Sequence, residues 1–347
     1  MPRRAARAIP GDVSFDILIV GQRGRLEHEA ALLAVTLRHA SPRWDGTLWV
    51  AEPEPGDRWP DDPRMADPEV AALLADHGAR VVPFANHHFG AWYPQGNKIE
   101  ALAALPEGRP FLFLDTDTVV VDELADLAID FDRPAASMKR EDTWPVPQLY
   151  GPTRRDVWAA LHAEAGLDFA SSLDTRFHEA DWRRYLYFNA GWFLGPSGPA
   201  FGRAFLDAAL LVQRAAREDG LPELASQTLD PWLDQAALPL AVHALGGGRP
   251  GQKGGIADGV LDGSHSFHWR HMPLMYATAP DHVIASVEAA TRPNRIKKVL
   301  KRHEPFKRFL YQPKGWRARG LFDQSALPRR EQVVRNRLKR EKLWVQR

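Results

Sequence analysis

The sequence predicts an α/β fold, a mainly parallel sheet with flanking helices, followed by a basic helical extension. Short apolar runs alternate with stretches whose apolar residues recur at helical spacing, the pattern of successive β-α steps. One run, Phe111-Leu112-Phe113-Leu114, leads into Asp115-Thr116-Asp117 and leaves through Val119-Val120-Val121. A buried strand thus delivers two carboxylates to its carboxyl edge, where open α/β sheets bind ligands. Charge is also segregated: residues 291–347 hold 19 Lys and Arg against 4 Asp and Glu, whereas residues 1–290 hold 26 against 40.

In chain order, Phe15 to Val20 is a first strand stopped by Gly21, and Leu26, Ala30, Leu33 and Leu37 mark the helix after it. Thr47 to Val50 is a second strand, Glu52 to Pro68 a proline-rich acidic loop, and Arg80 to Phe84 a third strand. Lys98 to Leu105 is helical and leads into the Asp-x-Asp strand. Beyond it, Ala135 to Met138 is a short strand, Arg154 to Ala165 a helix, and Tyr185 to Leu194 a strand with small residues at its centre. Helices are expected from Pro199 to Arg217 and from Trp232 to Leu245, the second ended by glycines 246–248. A glycine-rich loop, Gly251 to Gly263, precedes a segment carrying His265, His268 and His271. From Ile296 onward, Val299, Leu300, Phe306, Phe309 and Leu310 sit among basic residues as in amphipathic helices.

A chain of 347 residues with 44% hydrophobic composition buries a large core. It has no cysteine, which excludes disulfides, thiolate metal sites and cysteine nucleophiles, so any metal must be held by oxygen and histidine. No run approaches the roughly 20 apolar residues of a membrane span. The start, Met1 to Pro10, is basic and lacks the apolar centre of a signal peptide, so the chain is expected in the cytoplasm. Its basic tail suits peripheral contact with anionic lipid at the inner face of the membrane, where each basic residue is worth about 1 kcal/mol, or contact with the acidic body. The body has nothing like a nucleic-acid module, and no nucleic-acid partner is expected.

Hard cations such as Mg²⁺ or Mn²⁺ take carboxylate oxygens and share them with substrate phosphates, so Asp115 and Asp117 are candidate metal ligands. Asn189-Ala190-Gly191 combines an amide with small volume, which suits a ligand passing close to the backbone. Val20-Gly21-Gln22-Arg23-Gly24 lacks the later glycines of a dinucleotide fingerprint and does not predict NAD binding. Trp92, Tyr93, Trp144 and Trp182 fall in expected loops, where flat rings can stack on sugar faces.

Three elements in this order, Leu114-Asp115-Thr116-Asp117, Phe188-Asn189-Ala190-Gly191 and Asp234-Gln235, resemble the signature of nucleotide-sugar glycosyltransferases of the GT-A fold. They are most similar to the family-8 type of lipopolysaccharide galactosyltransferases and glycogenin, over roughly residues 15–275. The resemblance implies a GT-A Rossmann-like catalytic domain over residues 1–280, which binds the nucleotide sugar, and a basic α-helical extension over 281–347. It implies metal-dependent transfer of a sugar from a nucleoside-diphosphate donor, expected to be a UDP-sugar, to a glycan or lipid-linked acceptor of the cell envelope, with retention and with Mn²⁺ or Mg²⁺ as cofactor. A metal bridging both phosphates neutralises the leaving group without proton transfer.

By that resemblance Asp117 is a direct metal ligand, and Asp115 reaches the metal and the ribose. The third ligand is commonly a histidine near the end of the catalytic domain, with His268 the first choice ahead of His265 and His271. All three histidines cannot share one face of an unbroken strand. Asn189, Asp234 and Gln235 would face the donor sugar, Asp234 on hydroxyls and Gln235 beneath the anomeric carbon. Further donor contacts would come from Val20, Gly21 and Arg23 at the base and ribose, from Lys98, Thr116, Ala190 and Gly191, and from Arg270 on the diphosphate. Arg270 stands where such families carry a lysine, and Asp181 is an additional acidic candidate for the acceptor.

The leading alternative is a haloacid-dehalogenase-like phosphatase, whose nucleophile strand has the same apolar run before Asp-x-Asp. Asp115 would attack phosphorus and Asp117 serve as acid and base, with Ser137, Lys253, Asp258 and Asp262 in support. That motif normally lies on the first strand, whereas here roughly three β-α steps precede it. A sugar nucleotidyltransferase would need more glycine and arginine after the first strand, and a non-enzymatic anion-binding protein would rest on the tail alone.

Overall fold

The computed structural model describes residues 14–138, 144–217, 219–251, 256 and 258–345; Met1 to Pro10 and Lys253 lie outside the described residues. The strands are β1 (Asp16–Val20), β2 (Leu48–Pro53), β3 (Ala79–Phe84), β4 (Phe111–Leu114), β5 (Thr118–Val120), β6 (Ala135–Ala136), β7 (Trp192–Gly195) and β8 (Ser266–His268). Six of them form one sheet in the order β3-β2-β1-β4-β7-β6, and β5 pairs with β8 in a second, two-stranded sheet. β1 to β4 are mutually parallel, and β7 runs antiparallel to both β4 and β6. This is the mixed, mainly parallel sheet that the sequence predicts.

The helices of the first half are α1 (Arg25–Ala40), α2 (Pro68–Asp76), α3 (Asn97–Glu100), α4 (Arg154–Glu164) and α5 (Phe169–Ser172). The second half has α6 (Gly198–Ala215), α7 (Leu233–Ala244), α8 (Met272–Thr278), α9 (Asp281–Ala290), α10 (Asn294–Leu300), α11 (Glu304–Leu310), α12 (Lys314–Arg319) and α13 (Glu331–Arg340). Successive strand residues point to opposite faces. Ile17, Ile19, Leu112 and Leu114 therefore enter one core with α1, while Leu18, Val20, Phe111 and Phe113 enter the other with α6 and α7. Both faces are covered, which is why the central strands read as continuous apolar runs and not as alternating ones.

The C-terminal helices belong to the first of these cores. Val283 and Val287 of α9, Ile296 and Leu300 of α10, Phe306 of α11 and Val334 and Leu338 of α13 are buried in the same cluster as Ile17 and Leu33. Part of the tail's charge lies against the body: Arg295 pairs with Asp76, Lys298 with Glu69 at 3.3 Å, and Arg302 with Asp67 at 2.8 Å. Among the described residues no helix is long and apolar enough to cross a membrane.

Four local expectations differ from the structure. The expected strand from Tyr185 to Leu194 becomes regular only at Trp192, because the Asn189 side chain accepts the Gly191 N–H at 2.8 Å and Ala190 turns to φ 55°. The helix expected from Lys98 to Leu105 is one α-turn, α3, followed by a 3₁₀ turn over Ala101–Ala104. The valines after Asp117 do not continue β4 but form β5, which Thr36 of α1 anchors by accepting the Val120 N–H at 3.2 Å. Tyr93 and Trp144 are not displayed for sugars: they are 1% and 2% exposed, and Trp144 packs edge-on against Trp158.

One consequence concerns acid stability. His162 is 1% exposed, and burial pushes its pKa down to about 4. The unfolded chain binds that proton near pH 6.5, so the stabilising contribution is complete above about 6.5 and falls as pH drops towards 4, by on the order of 1 kcal/mol per pH unit. Urea midpoints at pH 7, 5.5 and 4.5 should show a slope that His162→Leu flattens. Parallel slopes for the two proteins would refute this assignment.

Candidate active site

A cavity of about 360 Å³ opens at the carboxyl edge of β1 and β4. Asp115 follows β4 and donates its N–H to the Gly191 carbonyl at 2.9 Å, and the Thr116 hydroxyl donates to the Val20 carbonyl at 2.8 Å. These bonds tie the Asp-x-Asp turn to β7 and β1. The antiparallel pairing of β5 with β8 then sets Thr118 opposite His268, and the Trp269 N–H donates to the Asp117 carbonyl at 2.9 Å. As a result His268 Nε2 lies 3.0 Å from Asp117 Oδ1 and 3.8 Å from Asp115 Oδ2. One ligand atom from each of the three residues falls within 4.8 Å of the others.

That donor set fits a hard divalent cation. Two carboxylates and an imidazole provide the oxygen and nitrogen ligands that Mg²⁺ or Mn²⁺ accepts, and bonds of about 2.0–2.4 Å span donor atoms so spaced. Burial raises the Asp115 pKa, against the opposing pull of Lys98 and His268. Burial disfavours the His268 cation, but the Asp117 and Asp115 carboxylates outweigh it and hold its pKa above the ordinary histidine value.

Lys98 is the hub of the cavity floor. Its ammonium lies 2.8 Å from Asp115 Oδ1 and 3.2 Å from Asp234 Oδ2, and donates to the Ala190 carbonyl at 3.3 Å. Burial works against its charge, yet the two carboxylates hold its pKa above the ordinary lysine value. Asp234, in the first turn of α7, is itself fixed: the Tyr93 hydroxyl accepts its N–H at 2.9 Å and lies 2.8 Å from its carboxylate. Beside it, Gln235 accepts the Tyr187 hydroxyl at 2.5 Å.

Residues 17–246 match the family model of the Rhodobacterales glycosyltransferase domain. The chain belongs to this family. It is a glycosyltransferase, which bears out the resemblance carried by its three motifs. The matched segment runs from β1 through α7 and stops before β8, so His268 and every later helix lie beyond it. This glycosyltransferase also resembles an active-site mutant of LgtC, at 15% identity over 70% of this chain and 71% of that one, with a TM-score of 0.39. The galactosyltransferase LgtC in complex with donor and acceptor sugar analogues gives 16%, 68%, 73% and 0.38, and the bifunctional glycosyltransferase WbbM in its apo form 14%, 59%, 35% and 0.34. None of the curated proteins matches the chain. Membership of a glycosyltransferase family leaves the phosphatase alternative without support, and Asp258, nominated for that site, accepts the Met138 N–H at 3.1 Å.

Of the residues singled out in the sequence, the fold of the glycosyltransferase brings Val20, Lys98, Asp115, Thr116, Asp117, Asn189, Asp234, Gln235, His268 and Arg270 to the cavity. Ala190 and Gly191 do not line it, and the Ala190 carbonyl accepts from Lys98. Gly21 packs instead towards Val50 and Met65, and Arg23 is exposed with its guanidinium on the Arg64 carbonyl, so neither lines the cavity. His265 is held by the Ser264 hydroxyl at 2.8 Å, outside the trio, whereas His271 reaches the rim. Asp181 pairs with Arg183 at 2.6 Å away from the cavity. Arg25, Trp232 and Arg335 line the cavity without having been foreseen. Arg25 was findable, since it opens the helix after β1 at the sheet's carboxyl edge. Arg335 has no local signal.

Gly191 explains why a small residue is needed in the Asn-Ala-Gly run. A Cβ there would lie 2.6 Å from His268 Nδ1 and 3.1 Å from Asn189 Oδ1. Gly191→Ala should therefore displace the imidazole and weaken Mn²⁺ binding by about 10-fold to 100-fold, as disturbing the support of a metal ligand does. Calorimetric Mn²⁺ titration checks this, and an unchanged affinity would show that His268 is free to shift.

Proposed function

We propose that this glycosyltransferase holds Mn²⁺ or Mg²⁺ through Asp115, Asp117 and His268 and transfers the sugar of a UDP-sugar, with retention, to a glycan or lipid-linked acceptor of the cell envelope. The observation that carries this reading is the convergence of those three ligand atoms within 4.8 Å on the floor of a cavity. The bound ion would supply neutralisation of the diphosphate leaving group. In this reading residues 1–280 form the catalytic domain and 281–347 the basic helical extension packed against it.

The chain's own residues set the rest. Lys98 stays charged and aligns Asp115 and Asp234, so that Asp234 faces the sugar hydroxyls at a fixed position. Asn189 and Gln235 offer neutral amides towards the anomeric centre, and the Tyr187 hydroxyl orients the second of them. Retention is favoured by the carboxylates on hand. Among the described residues lining the cavity they are Asp115, Asp117 and Asp234, the first two at the metal position and the third bound to Lys98 and Tyr93. So engaged, these three suit holding the metal and the donor sugar and not proton transfer from an acceptor hydroxyl.

For the tail, exposed Lys301, Arg317 and Trp316 are the groups we assign to peripheral contact with anionic lipid, a reading that fails if the protein does not sediment with anionic vesicles at low salt. The donor reading is tested by calorimetric titration of UDP, UDP-glucose, UDP-galactose and GDP with and without Mn²⁺. Metal-dependent UDP binding is expected. Absence of nucleotide binding under every condition would sink it, and an inverted anomer in the NMR spectrum of the product would remove the retention assignment.

A further inference from the structure

Resting on the donor reading above, we propose that the last helix completes the active site: Arg335 of α13 and Arg270 after β8, bridged by Glu331, form a subsite for the donor's diphosphate. Docking of α13 and nucleotide binding are then coupled.

Both arginines line the cavity. Arg270 ion-pairs with Glu331, and Glu331 also accepts from Arg335 Nε at 2.7 Å. A single carboxylate thus faces two guanidiniums, and the trio carries one net positive charge. Arg270 is two residues beyond His268 and adopts φ 56°, a left-handed conformation that L residues rarely hold without a local requirement. Arg335 is held in place before any ligand arrives. Val334 and Leu338, 1% and 0% exposed, anchor its helix, and its guanidinium sits 5.4 Å from the centre of the Trp344 ring. That ring lies tilted against His271 at 4.8 Å between centroids, and His271 lines the same cavity.

Charge balance points the same way. Among the described residues the floor sets Asp115, Asp117 and Asp234 beside Lys98, so the charge of a divalent ion held there would be met by these carboxylates and not by the diphosphate alone. Arg25 is already matched by Glu29 at 2.5 Å. Among the described residues lining the cavity, Arg270 and Arg335 with their shared Glu331 are the further cationic group, and guanidinium forks suit phosphate oxygens. By linkage, a diphosphate that binds better when α13 is docked must stabilise that docking to the same degree.

The test uses the full-length protein with Mn²⁺. Arg335→Ala should weaken UDP about 10-fold while changing UMP by less than about 3-fold, and Arg335→Lys should restore part of the loss, since lysine keeps the charge without the fork. UDP should also slow amide exchange over residues 331–340 in the wild type and not in Arg335→Ala. Unchanged UDP affinity in Arg335→Ala beside normal wild-type binding overturns this proposal alone, as does an equal loss of UDP and UMP, which marks structural damage. Failure of the wild type to bind UDP overturns the donor reading and this proposal with it.

Discussion

Asp117→Ala is expected to abolish sugar transfer, with turnover reduced on the order of 10³-fold or more, equivalent to about 4 kcal/mol of transition-state stabilisation. Asp117 is the best-placed candidate metal ligand, 7% exposed and 3.0 Å from His268 Nε2. Without it, His268 retains Asp115 only at 3.8 Å, too far for a hydrogen bond. The fold should survive, because the bond that seats β8 runs from Trp269 to the backbone carbonyl of residue 117 and not to its side chain. Asp117→Asn, which keeps the shape and loses the charge, should fail to the same extent. Initial rates and Mn²⁺ calorimetry together decide the matter: metal-dependent UDP binding that persists in both variants would mean the ion is held elsewhere.

Lys98→Met should be the most destabilising change at the site. The substitution preserves much of the volume and removes the cation that the half-buried Asp115, at 2.8 Å, and the buried Asp234, at 3.2 Å, share. Breaking a buried ion pair from one side costs about 3–5 kcal/mol, because the surviving charge is left uncompensated. The sign with pH follows. Carboxylates brought together without a cation hold a proton, so their folded-state pKa rises above the unfolded value. Protonation then stabilises the folded variant at low pH and that relief is lost as pH rises through the raised pKa. The deficit of Lys98→Met against the wild type in urea should therefore be largest at pH 8 and smaller at pH 5. A deficit that does not vary with pH, or one below about 1 kcal/mol, would show that the carboxylates do not depend on Lys98.

Most of the candidate trio for a metal was legible because its signal is local. An apolar strand followed by Asp-x-Asp places carboxylates at a sheet edge wherever that strand sits in the fold, and β4 does so. The third ligand was legible only as one of three histidines. His268 is selected by its register opposite Thr118, a pairing between segments 150 residues apart that periodicity cannot reveal. Similarly, Phe188 to Gly191 read as strand by composition, but the side chain of Asn189 competes with the ladder for the Gly191 N–H and delays the strand to Trp192.

The tail was harder to read. Its basic charge was plain, and so was its helical periodicity, yet neither states where the apolar stripes go. They enter the core beside α1, which brings α13 to the cavity and sets Arg335 beside Arg270. Tyr93 shows the same limit: an aromatic residue in an apparent loop is buried, because its hydroxyl is needed at Asp234.

What the sequence determined by itself is the layering and the carboxylate edge, since apolar period and the end of a strand are properties of neighbouring residues. What only the tertiary structure decided is which distant side chains meet there: His268 with Asp117, Lys98 with Asp234, Arg270 with Glu331, and Arg335 with the cavity mouth. Those meetings depend on strand register and helix docking, which are settled by burial summed over the whole chain and are not encoded in any short segment of it.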